Sequence, residues 1–226
     1  MLSHAAGSRG LLRAPGMTIA RKNRTPLEQV DTSVHLAAVM ERPLRKDAAD
    51  RRAALLDAAR AVFAEEGIDA PLDRIAERAG VGRATLYRNF PGRTEIALAV
   101  LLDDVAELGE VFAEPTAPDA FLEFLIDLSA RLVRNTGLGG VVRASPSPDI
   151  LTPLRQAMVK AAMPSLKVSQ AAGVVRDDLK ASDIRVLAAM LGGGIHNAKP
   201  AERNVIARRT LELVLDAVRA RVGDGA

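Results

Sequence analysis

Between Arg83 and Thr94 the chain gathers side chains suited to non-covalent recognition of anions and of flat, heteroatom-rich edges. Arg83, Arg88 and Arg93 bring guanidinium forks, Thr85 and Thr94 hydroxyls, Tyr87 a phenol and Asn89 an amide. Such groups donate hydrogen bonds to phosphate oxygens and to the edges of bases. The residue types needed for covalent or metal chemistry are missing or badly spaced. There is no cysteine, which excludes thiolate catalysis, a Cys-ligated zinc and any disulfide, and fits a reducing compartment. His4, His35 and His196 are scattered, and no histidine pair or carboxylate cluster has metal-ligand spacing. Ser145 and Ser147 lie beside prolines without a nucleophile-elbow pattern, and Gly137-Leu138-Gly139-Gly140 follows no strand-like run. The expectation is no enzyme, no catalytic residue, no metal and no cofactor.

The elements that must hold these donors are helical. Aromatic residues make up 3% of the 226-residue chain and Trp is absent, while Ala, Leu, Val and Arg recur at helical spacing, so the expected fold class is all-α. Residues 1–46 mix Gly, Pro, Arg and Ser around one apolar patch, Val34 to Met40, and read as a largely unstructured basic arm. From Ala48 to Glu66, Leu55, Ala59, Val62 and Phe63 share one face of a first helix, and Gly67 stands where a left-handed C-terminal cap belongs. Pro71 suits the first position of a second helix ending at Gly80, with Leu72, Ile75, Ala76 and Ala79 inward. A third runs from Gly82 to Asn89 and is stopped by Pro91-Gly92. A long fourth helix starts near Gly92 and ends before Pro115.

The stretch from about residue 71 to 90 has helix-turn-helix grammar. Ala76 is small where two helices cross, Gly80 supplies a positive φ for a tight turn, and Val81, Leu86 and Phe90 anchor the next helix. That helix then presents Arg83, Ala84, Thr85, Tyr87 and Arg88 outward, with small residues leading into a major groove about 12 Å wide. Ile75-Ala76-Glu77-Arg78-Ala79-Gly80-Val81 followed by Thr85-Leu86-Tyr87-Arg88-Asn89-Phe90 resembles the DNA-binding domain of the TetR family. The departures are mild: Gly82 where the family often has Ser, Ala84 for Gly or Pro, Asn89 for His and Arg93 for Lys.

The resemblance implies a three-helix DNA-binding domain over residues 47–108, joined by the long helix to a helical effector-binding and dimerisation domain over 109–226. It implies that Arg83, Thr85 and Ala84 face base edges, and that Tyr87, Arg88, Asn89, Arg93 and Thr94 hold phosphates and set register. The implied partners are an operator in double-stranded DNA, a second copy of the chain and an unidentified small-molecule effector. The implied role is a dimeric repressor that the effector releases. An activator using the same DNA contacts, or a helical protein-interaction module without DNA, are the alternatives.

Beyond residue 115 the signals are weaker. Phe121, Phe124, Leu125, Leu128 and Leu132 share a helical face, and the segment from Asn135 to Asp149 reads as a loop with room for a helical turn. Pro164 is expected to kink or split a helix over Leu151 to Ala172, and Ser182 to cap the next, which reaches Asn197. Phe121, Phe124, Leu125, Leu128, Met158, Met163 and Met190 are candidate pocket walls or plain core. A last helix from about Ala201 carries Leu211, Val214, Leu215, Val218 and Val222 on one stripe, and the first four are candidate dimer contacts together with Gly192 and Gly193. The glycines of Gly192-Gly193-Gly194 either admit a partner helix or end the helix before His196.

The net charge of +3 is concentrated at the start of the chain. Residues 1–52 carry ten Lys and Arg against five Asp and Glu, whereas the remainder is slightly acidic. No apolar stretch approaches the roughly 20 residues that cross a bilayer, and the first 20 residues lack a signal-like apolar core, so a cytoplasmic location without membrane contact is expected. Met17 and Met40 are alternative starts.

Overall fold

The computed structural model describes residues 32–147 and 149–220. The expected arm up to residue 31 lies outside them. Two compact units are residues 1–44 and 45–226. The described residues form α1 (Thr32–Glu66), α2 (Leu72–Arg78), α3 (Arg83–Asn89), α4 (Arg93–Val111), α5 (Ala120–Arg134), α6 (Thr136–Arg143), α7 (Thr152–Ala171), α8 (Ala181–Asn197) and α9 (Arg203–Val218). The only strand-like pairing among them is one isolated bridge between Val175 and Arg219. The all-α expectation holds.

Helix α1 starts at Thr32 rather than at Ala48, because the good helix formers from Leu36 to Met40 extend it upstream. It ends at Gly67, whose φ of 88° confirms the left-handed cap. Pro71 is the N-cap of α2, one position before the place expected for it. Gly80, at φ 66°, closes α2: its N–H donates to the Glu77 carbonyl (3.1 Å) and that of Val81 to the Ala76 carbonyl (3.0 Å). These paired bonds satisfy carbonyls that the helix end leaves open.

Two apolar clusters form the interior. In the first, Leu55, Ala59 and Val62 of α1 meet Ile75 and Ala76 of α2, Leu86 and Phe90 around α3, and Ile96 to Leu101 of α4. The second collects Val105 to Phe112 of α4 with α5, α7, α8 and α9. Helix α4 thus serves one core with its first half and the other with its second. It lies close on α7, since a Cβ on Gly109 would stand 3.2 Å from that of Ala161.

Several C-terminal expectations need correction. The loop expected from Asn135 contains a two-turn helix, α6, because Leu138 and Val142 fall one turn apart and bury into the first core. Of the two outcomes expected at Pro164, the split does not occur: α7 runs continuously through it, held by buried Met158, Ala161, Ala162 and Leu166 on either side. Ser182 does not cap α8. Lys180 is the N-cap, and the Asp183 carboxylate accepts its backbone N–H at 2.8 Å. The final helix begins at Arg203, not Ala201.

Candidate nucleic-acid interface and an unexpected cavity

The short helix α3 is held from below. Leu86 is fully buried and Phe90 nearly so, while Val81 packs at the edge of the same cluster. Gly82 is its N-cap in extended conformation (φ −71°, ψ 149°), and its carbonyl accepts the Thr85 N–H at 2.8 Å. With 7 residues, α3 would not survive alone, and its burial on α1 and α4 supplies what propensity does not.

The opposite face is open. Arg83, Ala84, Tyr87, Arg88 and Asn89 are exposed, Tyr87 at 47%, and Thr85 is half-buried. Local bonds steer the polar groups. Arg88 Nε donates to the Ala84 carbonyl (3.0 Å) and its terminal nitrogen to Thr85 Oγ1 (3.3 Å). Asn89 Nδ2 donates to the Thr85 carbonyl (2.8 Å), and Arg83 pairs with Asp73 of α2 at 3.1 Å. These exposed links are weak and exchange readily for phosphate or base acceptors. Arg52 of α1 lies over the Phe90 ring, 5.0 Å from its centroid.

Arg93 and Thr94 stand apart from that face. Both are half-buried, and the Arg93 guanidinium donates to the Ile68 carbonyl and, at 3.4 Å, to that of Asp69. It ties the start of α4 to the turn between α1 and α2, so its donors are already engaged inside the domain.

None of the expected pocket residues lines the cavities described for residues 32–147 and 149–220. Phe121, Phe124, Leu125, Leu128 and Met158 are buried in the second core and Met163 packs against it. The Phe121 and Phe124 rings stack at 6.3 Å, and Phe112 meets Phe124 edge-on at 5.5 Å. Met190 is 46% exposed on the outside of α8. Four aromatic or branched side chains on one face fill their own volume, which periodicity alone does not distinguish from lining a void.

The largest described cavity lies elsewhere, about 860 Å³ among α1, α4, α5, α6 and the junction of α8 with α9. Its signal in the sequence was absent, since its residues come from distant segments. Arg60 of α1 reaches Asp103 (2.6 Å), Asp104 (3.0 Å) and Glu107 (3.4 Å) of α4 as well as Asp57 (3.0 Å). Burial by itself would lower the pKa of that guanidinium, but the hydrogen bonds and charges of Asp103 and Asp104 outweigh it and raise it. Arg131 of α5 adds a pair with Glu107 (3.3 Å) and donates to the Asp104 carbonyl (3.0 Å). Asn135 donates to the Asp104 carboxylate.

Of the expected dimer residues, Val214 and Val218 are buried in the chain's own core and Leu211 and Leu215 pack against it. Gly193 is exposed and Gly192 half-buried. Within the chain, Gly194 lets α8 approach α9 closely, since a Cβ there would meet Thr210 Oγ1 at 3.1 Å. The outward residues are others: Val186 and Met190 on α8, Val205 and Leu213 on α9.

Comparison with known proteins agrees with this architecture. Residues 55–100 match the family described as bacterial regulatory proteins, tetR family. A TetR transcriptional regulator from Streptomyces coelicolor is 31% identical, with a TM-score of 0.53 over 76% of this chain and 99% of that one. A TetR regulatory protein from Mycobacterium vanbaalenii is 26% identical, with a TM-score of 0.53 over 79% and 100%. Over 63 residues, 27% of the chain, it is 43% identical to the HTH-type transcriptional regulators TtgW, itself uncharacterised, and SrpR of Pseudomonas putida. The matched part spans 47% and 30% of those two proteins, less than half their length. With 31% identity over nearly the whole Streptomyces protein and the family match across the helix-turn-helix, this chain belongs to the TetR family of helix-turn-helix transcriptional regulators.

Proposed function

We propose that the protein is a dimeric repressor that reads an operator in double-stranded DNA through α3 and leaves it when a small-molecule effector binds. The observation that carries the DNA contact is the two-sidedness of α3. Leu86 and Phe90 are buried, while Arg83, Ala84, Tyr87, Arg88 and Asn89 point away from the domain. In this reading Arg83 and the Thr85 and Ala84 methyl groups meet base edges, and Tyr87, Arg88 and Asn89 meet phosphates. Arg93 and Thr94 act one step back, fixing the turn into α2, although a backbone phosphate within reach of α4 would still find Thr94. A pair of recognition helices must stand about 34–36 Å apart to enter successive major grooves, which requires a second subunit. Val186, Met190, Val205 and Leu213 are the apolar surface available for it.

The test is binding to the DNA flanking the protein's own gene, by fluorescence anisotropy, at two salt concentrations. Sequence-selective binding that weakens steeply with salt is expected, and Tyr87→Ala with Arg88→Ala should abolish it. Equal binding by that double variant would remove α3 from the interface.

A further inference from the structure

The cavity beneath α1 holds basic side chains with hydrogen-bond donors that its own residues leave unmatched. Its carboxylates gather on one side, where Asp57, Asp104 and Glu107 each pair with Arg60, and Glu107 also with Arg131. Its remaining basic side chains have no such partner. Arg134, His196 and Arg203 line the same space, and none makes a hydrogen bond or ion pair among the described residues. The Nε donors of Arg131 and Arg203 are buried without a partner. An N–H removed from water and left unbonded costs free energy that a ligand oxygen would recover. Arg203 is moreover the first residue of α9, directly after the N-cap Glu202, and no acidic residue stands in the first turn behind it. A cation placed there works against its own helix, and an anion beside it would be favoured by both.

The other wall is apolar, made by Phe63 and Ala64 of α1, Ile68 after it and Leu138 of α6. The volume, about 860 Å³, is in the range that holds a small organic molecule. We propose that this cavity binds an amphiphilic organic acid, its carboxylate among Arg134, His196 and Arg203 and its apolar body against Phe63, Ile68 and Leu138. For its effect on DNA the proposal rests on the repressor reading; for the binding itself it does not.

The consequence for DNA follows from what the walls carry. Gly67 and Ile68 form the turn into α2, and the Ile68 carbonyl is the one that Arg93 holds. A Cβ on Gly137 of α6 would stand 3.5 Å from that of Ile68, so there is little slack on that side. A body seated between α6 and this turn displaces Ile68, and with it the path from α1 to α2 and the angle at which α3 is offered.

The experiment is isothermal titration of the full chain with benzoate, salicylate and decanoate, each beside its neutral alcohol, together with the operator-binding measurement. At least one acid should saturate at millimolar concentration or below while its alcohol does not. Arg134→Gln with Arg203→Gln should weaken that acid roughly tenfold or more, as expected for losing charged hydrogen bonds. Ala64→Trp, a substitution at an exposed position of α1 that fills the cavity without changing charge, should block it, with an unchanged melting profile showing that the fold is intact. The same acid should weaken operator binding by wild type and not by Ala64→Trp. No saturable binding by any acid, equal binding of the alcohols, or indifference to both variants would overturn the proposal. Acid binding by a chain that binds no DNA would leave this site standing and remove the repressor reading instead.

Discussion

Gly80 and Gly82 sit two positions apart and face opposite constraints. Gly80 holds φ 66° with open space around it, so a methyl group there meets no atom and pays only in backbone strain. Gly80→Ala is expected to destabilise the fold by about 1 kcal/mol in urea titration. Gly82, at φ −71° and ψ 149° with nothing near its Cβ, suits any residue. Gly82→Ser should stabilise by about 0.5 kcal/mol, since the hydroxyl caps α3 and the unfolded chain loses freedom. A loss of stability would contradict the extended N-cap. Glu65 shows a third kind of residue effect. A hydrogen bond from Arg78 at 2.6 Å holds its carboxyl below the ordinary value of 4.5. A depressed folded value means the contribution is present above that ordinary value and fades as pH falls through the folded one. The stability difference between wild type and Arg78→Gln should therefore be present at neutral pH and shrink in acid; a difference that grows in acid would reverse the assignment.

At the scale of elements, α1 and α4 are joined by charge as well as by packing. The Arg60 side chain is 26% exposed and serves three α4 carboxylates. Replacing it with Leu leaves those carboxylates crowded, and about 1–2 kcal/mol should be lost after allowance for solvent screening, measurable by chemical denaturation. An unchanged midpoint would mean that the pairs contribute nothing net. Helix α7 carries a different burden. Pro164 removes one N–H from an unbroken helix, leaving the carbonyl one turn back without its usual donor. Pro164→Ala should raise stability by about 2 kcal/mol, and a drop would show that the ring's packing outweighs the missing bond. The end of α1, both short helices after it and the start of α4 were legible in the sequence because they are marked by Gly67, Pro71, Gly80 and Pro91-Gly92, residues whose backbone preferences act locally. The segment of α6 reads in sequence as a loop with room for a helical turn because Gly137, Gly139 and Gly140 lower helix propensity, and only the burial of Leu138 and Val142 under α1 and α4 offsets that.

For the whole molecule, the question is which apolar surface remains after the chain has folded. Leu213 is 52% exposed and Val186 56%, on adjacent helices α9 and α8. If a second copy covers them, Val186→Glu with Leu213→Glu should yield monomers in sedimentation equilibrium and lose operator affinity while keeping the melting behaviour of the monomer. A variant that still sediments as a dimer would place the interface on another face. Of the stripe expected to do this, Val214 and Val218 are buried within the chain, while Leu211 and Leu215 are half-buried against the same core.

The sequence by itself determined the helical class, the helix-turn-helix and the polar face of α3, since each depends on residues within a few turns of one another. Only the tertiary structure decided which apolar faces became core and where a cavity remained. Arg60 meets Asp103, Asp104 and Glu107 across 43, 44 and 47 residues, and no periodicity records such a meeting. A helical stripe says that a face must be buried; which neighbour buries it is settled by how all the helices close together.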